Sequence, residues 1–148
     1  MRAVVQRVSR ASVRIDGQIV GEIGRGLLVL LGVGKDDTDT NTDWMIKKLL
    51  ALRIFPDGAK NMNRSVSDIN GGILVVSQFT LYGDATHGTR PSFTDAMPPT
   101  EAEQFYNNFI TKLRAATALK VAEGKFAAMM DVELVNDGPV TIVLDSHA

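Results

Sequence analysis

Ser77, Gln78, Phe79 and Thr80 place a hydroxyl, a carboxamide, an aromatic ring and a second hydroxyl at the end of the apolar run Gly72 to Val76. Polar groups at the end of a buried strand must be paired or reach a ligand. Strand alternation puts Ser77 and Phe79 on the face of Ile73 and Val75, and Gln78 and Thr80 together on the other, where both can meet a bound molecule. The competing reading is structural: Thr80 is a good β-former, and Ser77 and Gln78 satisfy nearby backbone. A second unusual run, Asn136-Asp137-Gly138-Pro139-Val140-Thr141, breaks a strand pair with Gly-Pro. Between the two, His87-Gly88-Thr89-Arg90-Pro91-Ser92-Phe93 carries a guanidinium suited to phosphate or carboxylate, or to one of the local aspartates. Phe126, Met129 and Met130 read either as core or as a box for a nucleobase.

Other chemistries fail for want of residues. With no cysteine there is no disulfide, thiolate nucleophile or Cys-ligated metal. The two histidines, His87 and His147, are far apart and the second is penultimate, which argues against a His-based triad and a His-metal cluster. Asp68, Asp84 and Asp95 suit a hard cation in principle, but no metal or other cofactor is expected. Gly32-Val33-Gly34-Lys35 follows an apolar strand as a phosphate loop would, yet Asp37 stands where a dinucleotide fingerprint needs glycine. Asp36, Asp37 and Asp39 would repel phosphate and read instead as favourable charge at a helix N-terminus.

The elements that must position these groups follow from the periodicities. A strand meander is expected over Arg2 to Ser9, Ala11 to Ile15, Gln18 to Ile23 and Gly26 to Leu31, with Asp16-Gly17 as a hairpin turn. After Gly34 a helix runs to about Arg53, with Trp44, Ile46, Leu49 and Leu50 as its apolar stripe, and Phe55-Pro56-Asp57-Gly58 closes it in a turn. Lys60 to Gly72 is polar and reads as a loop, Ile73 to Leu81 as the central strand, and Gly83 to Pro99 as a long loop. Thr100 and Glu103 have capping-box spacing for a second helix to Ala118. Short strands follow near Leu119 to Val121, Met130 to Val135 and Val140 to Leu144, the last two joined by the Gly-Pro turn. The expected fold is one α+β domain, a mostly antiparallel, barrel-like meander with two main helices.

A length of 148 residues with 45% hydrophobic composition suits one domain with a sizeable core. The net charge of −1, from 16 basic and 17 acidic residues, provides no field for gripping a long nucleic acid, so any such partner is held locally. No signal-like apolar segment opens the chain and no run approaches the roughly 20 residues of a membrane span. No membrane association is expected, and a soluble, cytoplasmic protein is.

Taken together these runs resemble the D-aminoacyl-tRNA deacylases over essentially the full length. The resemblance rests on Val5-Gln6-Arg7-Val8-Ser9-Arg10-Ala11-Ser12-Val13, Gly26 to Val33, Arg53-Ile54-Phe55, Gly88-Thr89-Arg90-Pro91-Ser92-Phe93 and Phe126 to Val132. Above all it rests on Ser77-Gln78-Phe79-Thr80-Leu81 and Asn136-Asp137-Gly138-Pro139-Val140-Thr141. It implies hydrolysis of the ester joining a D-amino acid or glycine to the 3′-terminal adenosine of tRNA, by a homodimer with its active sites at the subunit interface. In that family the Gly-Pro peptide, here Gly138-Pro139, is cis and enters the partner's pocket, where its carbonyls face the substrate's α-ammonium and exclude an L side chain. The resemblance assigns catalysis to Ser77, Gln78, Phe79 and Thr80, with backbone N–H groups around Gln78, Phe79 and Thr80 as oxyanion donors. Gly138 and Pro139 face the substrate under that resemblance, and Arg90, Phe126 and Met130 are further candidate substrate-binding residues read from the sequence, the last two as apolar walls or core. Either Thr80 is the nucleophile, or the terminal ribose 2′-hydroxyl activates water; the second is favoured, since no base neighbours Thr80 in sequence. Two departures touch fine specificity: His87 where many relatives carry Lys or Arg, and Ala127 where many carry Gly. Two rivals remain, an editing relative with a trans Gly-Pro peptide that accepts some L-alanyl-tRNA, and a non-catalytic dimeric binding module.

Overall fold

A computed structural model describes all 148 residues. Long alternation makes β1 (Arg2–Ile15), which turns at Asp16-Gly17, both at positive φ, into β2 (Gln18–Ile23) and then β3 (Gly26–Gly32). The first helix is α1 (Asp39–Ala51), followed by the small hairpin β4 (Phe55–Asp57) and β5 (Lys60–Arg64). β6 (Gly72–Ser77), a 3-10 turn (Phe79–Tyr82), α2 (Pro99–Ala116), β7 (Val121–Glu123) and β8 (Asp131–Asp145) complete the chain. The main sheet has the order β2-β1-β3-β6-β7, with β8 on the free edge of β1. Pairing around β1 is antiparallel, as expected, whereas β3–β6 and β6–β7 are parallel. The crossover through α1 makes the first parallel pair, because parallel neighbours need a long connection.

The sheet buries both faces. Ala3, Val5, Leu27, Val29, Ile73 and Val75 meet Met45 and Leu49 of α1 and Tyr106, Phe109 and Leu113 of α2. Val8, Ala11, Val13, Leu28, Leu74 and Val76 form a second core on the opposite face, inside the barrel-like curl of the sheet. In β1 the buried set changes phase between Val5 and Ala11, where the register against β8 shifts. That irregularity bends one continuous strand from the first core to the second. It is also why the sequence pattern divides there into two segments that the structure joins.

Several expected boundaries move. β6 stops at Ser77, so the alternation expected through Leu81 does not exist and Phe79 to Tyr82 form a tight turn instead. The loop expected over Lys60 to Gly72 contains β5, a strand whose polar residues are tolerated because it lies in an exposed hairpin. Helix α2 begins with Pro99 as its first residue, not at a Thr100 cap: proline needs no donor there, and the first ladder bond runs from Ala102 N–H to Pro98 O at 2.9 Å. The short strand expected near Leu119 to Val121 lies at Val121–Glu123. Within α1, Met45 joins Ile46 and Leu49 on the buried stripe, while Trp44 and Leu50 sit half-buried at its margin.

Asp37 also departs from its expected role. It lies outside α1, fully buried, and accepts hydrogen bonds from the Met1 ammonium and from the Gly34 N–H at 2.7 Å, with His147 Nε2 2.7 Å away. Thr38 caps the helix instead, its N–H donating to Asn41 Oδ1 at 2.8 Å. The Gly32 to Lys35 segment is thus a turn clasped by a buried carboxylate. No helix is long and apolar enough to cross a membrane.

Candidate active site

Parallel pairing of β3 with β6 carries the chain out of the sheet beside Leu31, and there the polar groups collect. Gln78 N–H donates to Leu31 O at 2.7 Å, which removes it from the expected oxyanion donors. The turn's first internal bond runs from Leu81 N–H to Gln78 O at 3.2 Å, so the N–H groups of Phe79 and Thr80 precede the turn's own ladder. Gln78 Nε2 donates to Thr80 Oγ1, bringing together two of the side chains singled out by sequence. Ser77 and Gln78 are half-buried, while Thr80 is exposed and the Phe79 ring is 57% exposed. Phe93 returns from the following loop to set its ring edge-on to Phe79, with centroids 5.2 Å apart.

The Gly-Pro run does not join two paired strands as expected. Both halves of β8 pair with β1, Gln6 opposite Thr141 and Val8 opposite Asn136, so four residues, 137–140, stand against Arg7 alone. They bulge out. Asn136 closes the bulge, its Oδ1 accepting the Val140 N–H at 2.8 Å and its Nδ2 donating to Thr141 Oγ1 at 3.0 Å. Gly138 sits at φ +141, where only glycine is comfortable, and its peptide to Pro139 is cis, agreeing with what the resemblance implies. Gly138 and Pro139 are exposed, while Val140 is buried.

Arg7 anchors this projection. Its Nε donates to Asp137 O at 2.9 Å and one terminal nitrogen donates to Ile54 O at 2.7 Å, with Asp137 Oδ2 3.5 Å from Nε. Sequence reading missed this role, although a signal existed: Arg7 continues the in-facing series Ala3 and Val5, and a charge on a buried face requires partners.

The two runs lie apart within one chain. Arg7 is level with Leu27 and Ile73, whereas Ser77 is four residues further along β6. That separation is roughly 13 Å along the strands and, across three strand spacings from β8 to β6, roughly 14 Å more, or about 20 Å over the sheet. Gly138 and Pro139 therefore do not line their own chain's Ser77–Thr80 turn.

Phe126 is half-buried with its ring 5.9 Å from that of Tyr106, on a loop tied to the sheet by Gly124 N–H donating to Val75 O at 3.0 Å. This places it near the end of β6, on the first core. Met130 packs against the second core, its sulfur accepting the Lys125 N–H at 3.4 Å, so the two do not form one wall. Met129 is 91% exposed and belongs to neither core. Ala127 adopts φ +64, the conformation a glycine would take without penalty. Arg90 is exposed on the loop beyond the turn. A cleft of about 450 Å³ opens at the far end of β6, around Arg25, Gly72 and Lys120, and includes none of the residues singled out by sequence.

Comparison with known proteins agrees with this architecture. Residues 4–145 match the family profile described as D-Tyr-tRNA(Tyr) deacylase. A D-aminoacyl-tRNA deacylase of Opitutus terrae is 57% identical over 148 residues, covering 100% of this chain and 99% of the relative. Another, from Thermotoga petrophila, is 59% identical over 146 residues, covering 99% and 97%. Among solved structures, one named c-Myc DNA Unwinding Element Binding Protein superposes with a TM-score of 0.93 at 47% identity, covering 98% of each chain. A probable eukaryotic D-amino acid tRNA deacylase shares the fold at TM-score 0.81 and 19% identity, covering 97% of each. An α+β barrel-like scaffold with this full-length match is that of a hydrolase acting on aminoacyl-tRNA esters. The chain belongs to the D-Tyr-tRNA(Tyr) deacylase family.

Proposed function

We propose that this enzyme hydrolyses the ester of D-aminoacyl-tRNA, and of glycyl-tRNA mischarged on tRNA(Ala), as a cytoplasmic homodimer whose sites each draw on two chains. The observation that carries this reading is the exposed Gly138-Pro139 projection, held out by Arg7 and Asn136 and about 20 Å along the sheet from its own Ser77–Thr80 turn. A second copy brings the projection of one chain to the turn of the other. Exposed Val135 and Val143, on the same strand as the projection, supply apolar surface for that contact.

In the assembled site the carbonyls of Gly138 and Pro139 face the α-ammonium of the substrate. An L side chain would run into backbone held by Arg7, a D side chain points away, and glycine has none. The ester carbonyl lies over the turn, where the N–H groups of Phe79 and Thr80 receive the developing oxyanion. Phe79 and Phe126 contribute apolar surface to the terminal nucleoside; Met130, packed against the second core, is not part of that wall. Thr80 Oγ1 accepts from the Gln78 amide, and no titratable side chain hydrogen-bonds it. A hydroxyl without a base is a weak nucleophile, which favours activation of water by the terminal ribose 2′-hydroxyl.

Release of amino acid from matched D-tyrosyl-tRNA and L-tyrosyl-tRNA, with and without a chelator, tests the proposal. Rapid, D-only and chelator-insensitive release is expected, and Thr80→Ala is expected to keep a single-turnover rate of the same order. Release from both stereoisomers would remove the chirality filter. No release from either, with saturable binding, would leave a binding module.

A further inference from the structure

We infer that the loop from Asp84 to Ser92 is an ordered finger that reads the phosphate backbone of the RNA 3′ strand just inside the terminal nucleotide, through Arg90. This rests on the proposed tRNA substrate. The finger is built, not slack. Its base is closed by two backbone hydrogen bonds, Asp84 N–H to Ser92 O at 2.7 Å and Ser92 N–H to Asp84 O at 2.8 Å. Asp84 Oδ1 accepts the Thr86 N–H at 2.9 Å and also the Thr86 hydroxyl, which sets the first bend. Gly88 at φ +82 makes the tip, and Pro91 stiffens the return.

The finger springs from the active-site turn itself. Gly83 N–H donates to Thr80 O at 2.9 Å, and Phe93, directly after the finger, packs its ring on Phe79. Five residues from Gly83 to Gly88 carry the chain at most about 17 Å, the scale of the next nucleotides along a strand whose end lies at Thr80.

The charge at the tip is uncommitted. Arg90 is exposed and has no ion pair. Both nearby acids are engaged elsewhere. Asp84 is bound by Thr86, whose hydroxyl and N–H hold its carboxyl below the usual range, and Asp95 pairs with Lys35 at 2.9 Å. A planar guanidinium on a rigid support, with no carboxylate partner, suits bidentate contact with phosphate. His87, also exposed at the tip, is a second position from which a phosphate is within reach.

Binding of an uncharged RNA minihelix ending in CCA, titrated at several salt concentrations, tests the finger without requiring turnover. Arg90→Ala should raise Kd about tenfold, as loss of one charge-assisted contact does. It should also lower the slope of log K against log salt by about 0.7, the value for one single-strand phosphate. Arg90→Lys should keep the slope, and His87→Lys should raise it by a similar amount. Arg90 is exposed and makes no side-chain hydrogen bond or ion pair within the fold, so the thermal midpoint of each variant should match the parent. An Arg90→Ala slope equal to the parent's, or no measurable binding of the minihelix by the parent, would overturn the inference. Failure of the D-tyrosyl-tRNA assay alone would overturn the proposed activity and leave the finger standing.

Discussion

Arg7 shows how one side chain links core to site. Its guanidinium is buried and satisfies two main-chain carbonyls, Asp137 O and Ile54 O, from elements distant in sequence. Arg7→Met keeps the aliphatic volume but leaves both carbonyls without that donor, so it should cost about 2–4 kcal/mol of stability, read as a fall in the urea midpoint at constant m-value. Because the lost contact frees the 137–140 bulge, kcat/KM on D-tyrosyl-tRNA should fall at least about tenfold even where the variant is fully folded. A stable variant with parental kcat/KM would show that the bulge holds its shape without Arg7. At this scale the sequence reading found the groups but misjudged their commitments. Ser77, Gln78 and Thr80 do cluster, yet the Gln78 N–H belongs to Leu31 and cannot serve as an oxyanion donor. A main-chain donor carries no sequence signature, so only the path of β3 beside β6 decides its partner.

Elements are packed closely enough that glycine positions diverge sharply in cost. A Cβ on Gly26 would stand 1.9 Å from Gly72 O, at the start of the β3–β6 pair, whereas one on Gly24 would meet open space. Gly26→Ala should therefore destabilise by more than about 3 kcal/mol and displace β6 with its terminal turn, while Gly24→Ala should stay within about 0.5 kcal/mol. Urea unfolding of the two variants side by side checks this. Equal midpoints would mean that β3 and β6 can part without penalty. Periodicity did reveal β3 and both helices through the apolar sets they present to the cores, and the Asp16-Gly17 turn marked β2, whereas β1 read as two segments because its buried set changes phase. It failed where an element ends for reasons outside itself: β6 stops at Ser77, beside Leu31 of the neighbouring strand, and β8 reads as two strands because its middle bulges around Arg7.

Across the whole molecule, ionisable groups set a plateau of stability in pH. Asp68 is held below the usual carboxylate range by the Ser65 N–H and hydroxyl, Asp84 by the Thr86 hydroxyl and N–H, and Glu133 by Arg10. Burial pushes Asp145 upward, but the His147 N–H and Arg2 outweigh it and leave it lowered. Depressed carboxyls contribute stability that is present above their unfolded values, near 3.8 for Asp and 4.5 for Glu, and lost as pH falls through the folded ones. Burial raises the Tyr82 and Tyr106 phenols from 10.0, so their contribution is complete below that pH and is lost as pH rises above it. Unfolding free energy should be flat from about pH 5 to about pH 9 and fall on both sides. Tyr106→Phe, which gives up only the hydrogen bond to Val75 O at 3.3 Å, should flatten the alkaline limb. A limb unchanged in that variant would assign the alkaline loss to other groups.

By itself the sequence determined the class of fold, both helices, most of the strands and the two runs proposed to carry function, because these depend on local period, on turn residues such as Asp16-Gly17, and on residue types that few folds require together. Only the tertiary structure decided that Asp37 is a buried acceptor and not a helix-dipole charge, that the Gly138-Pro139 projection is anchored by Arg7, and that it lies apart from its own Ser77–Thr80 turn. Each of those outcomes is set by a partner tens of residues away. Neither periodicity nor propensity carries information over such a distance, whereas the register of β1 against β3 and β8 does.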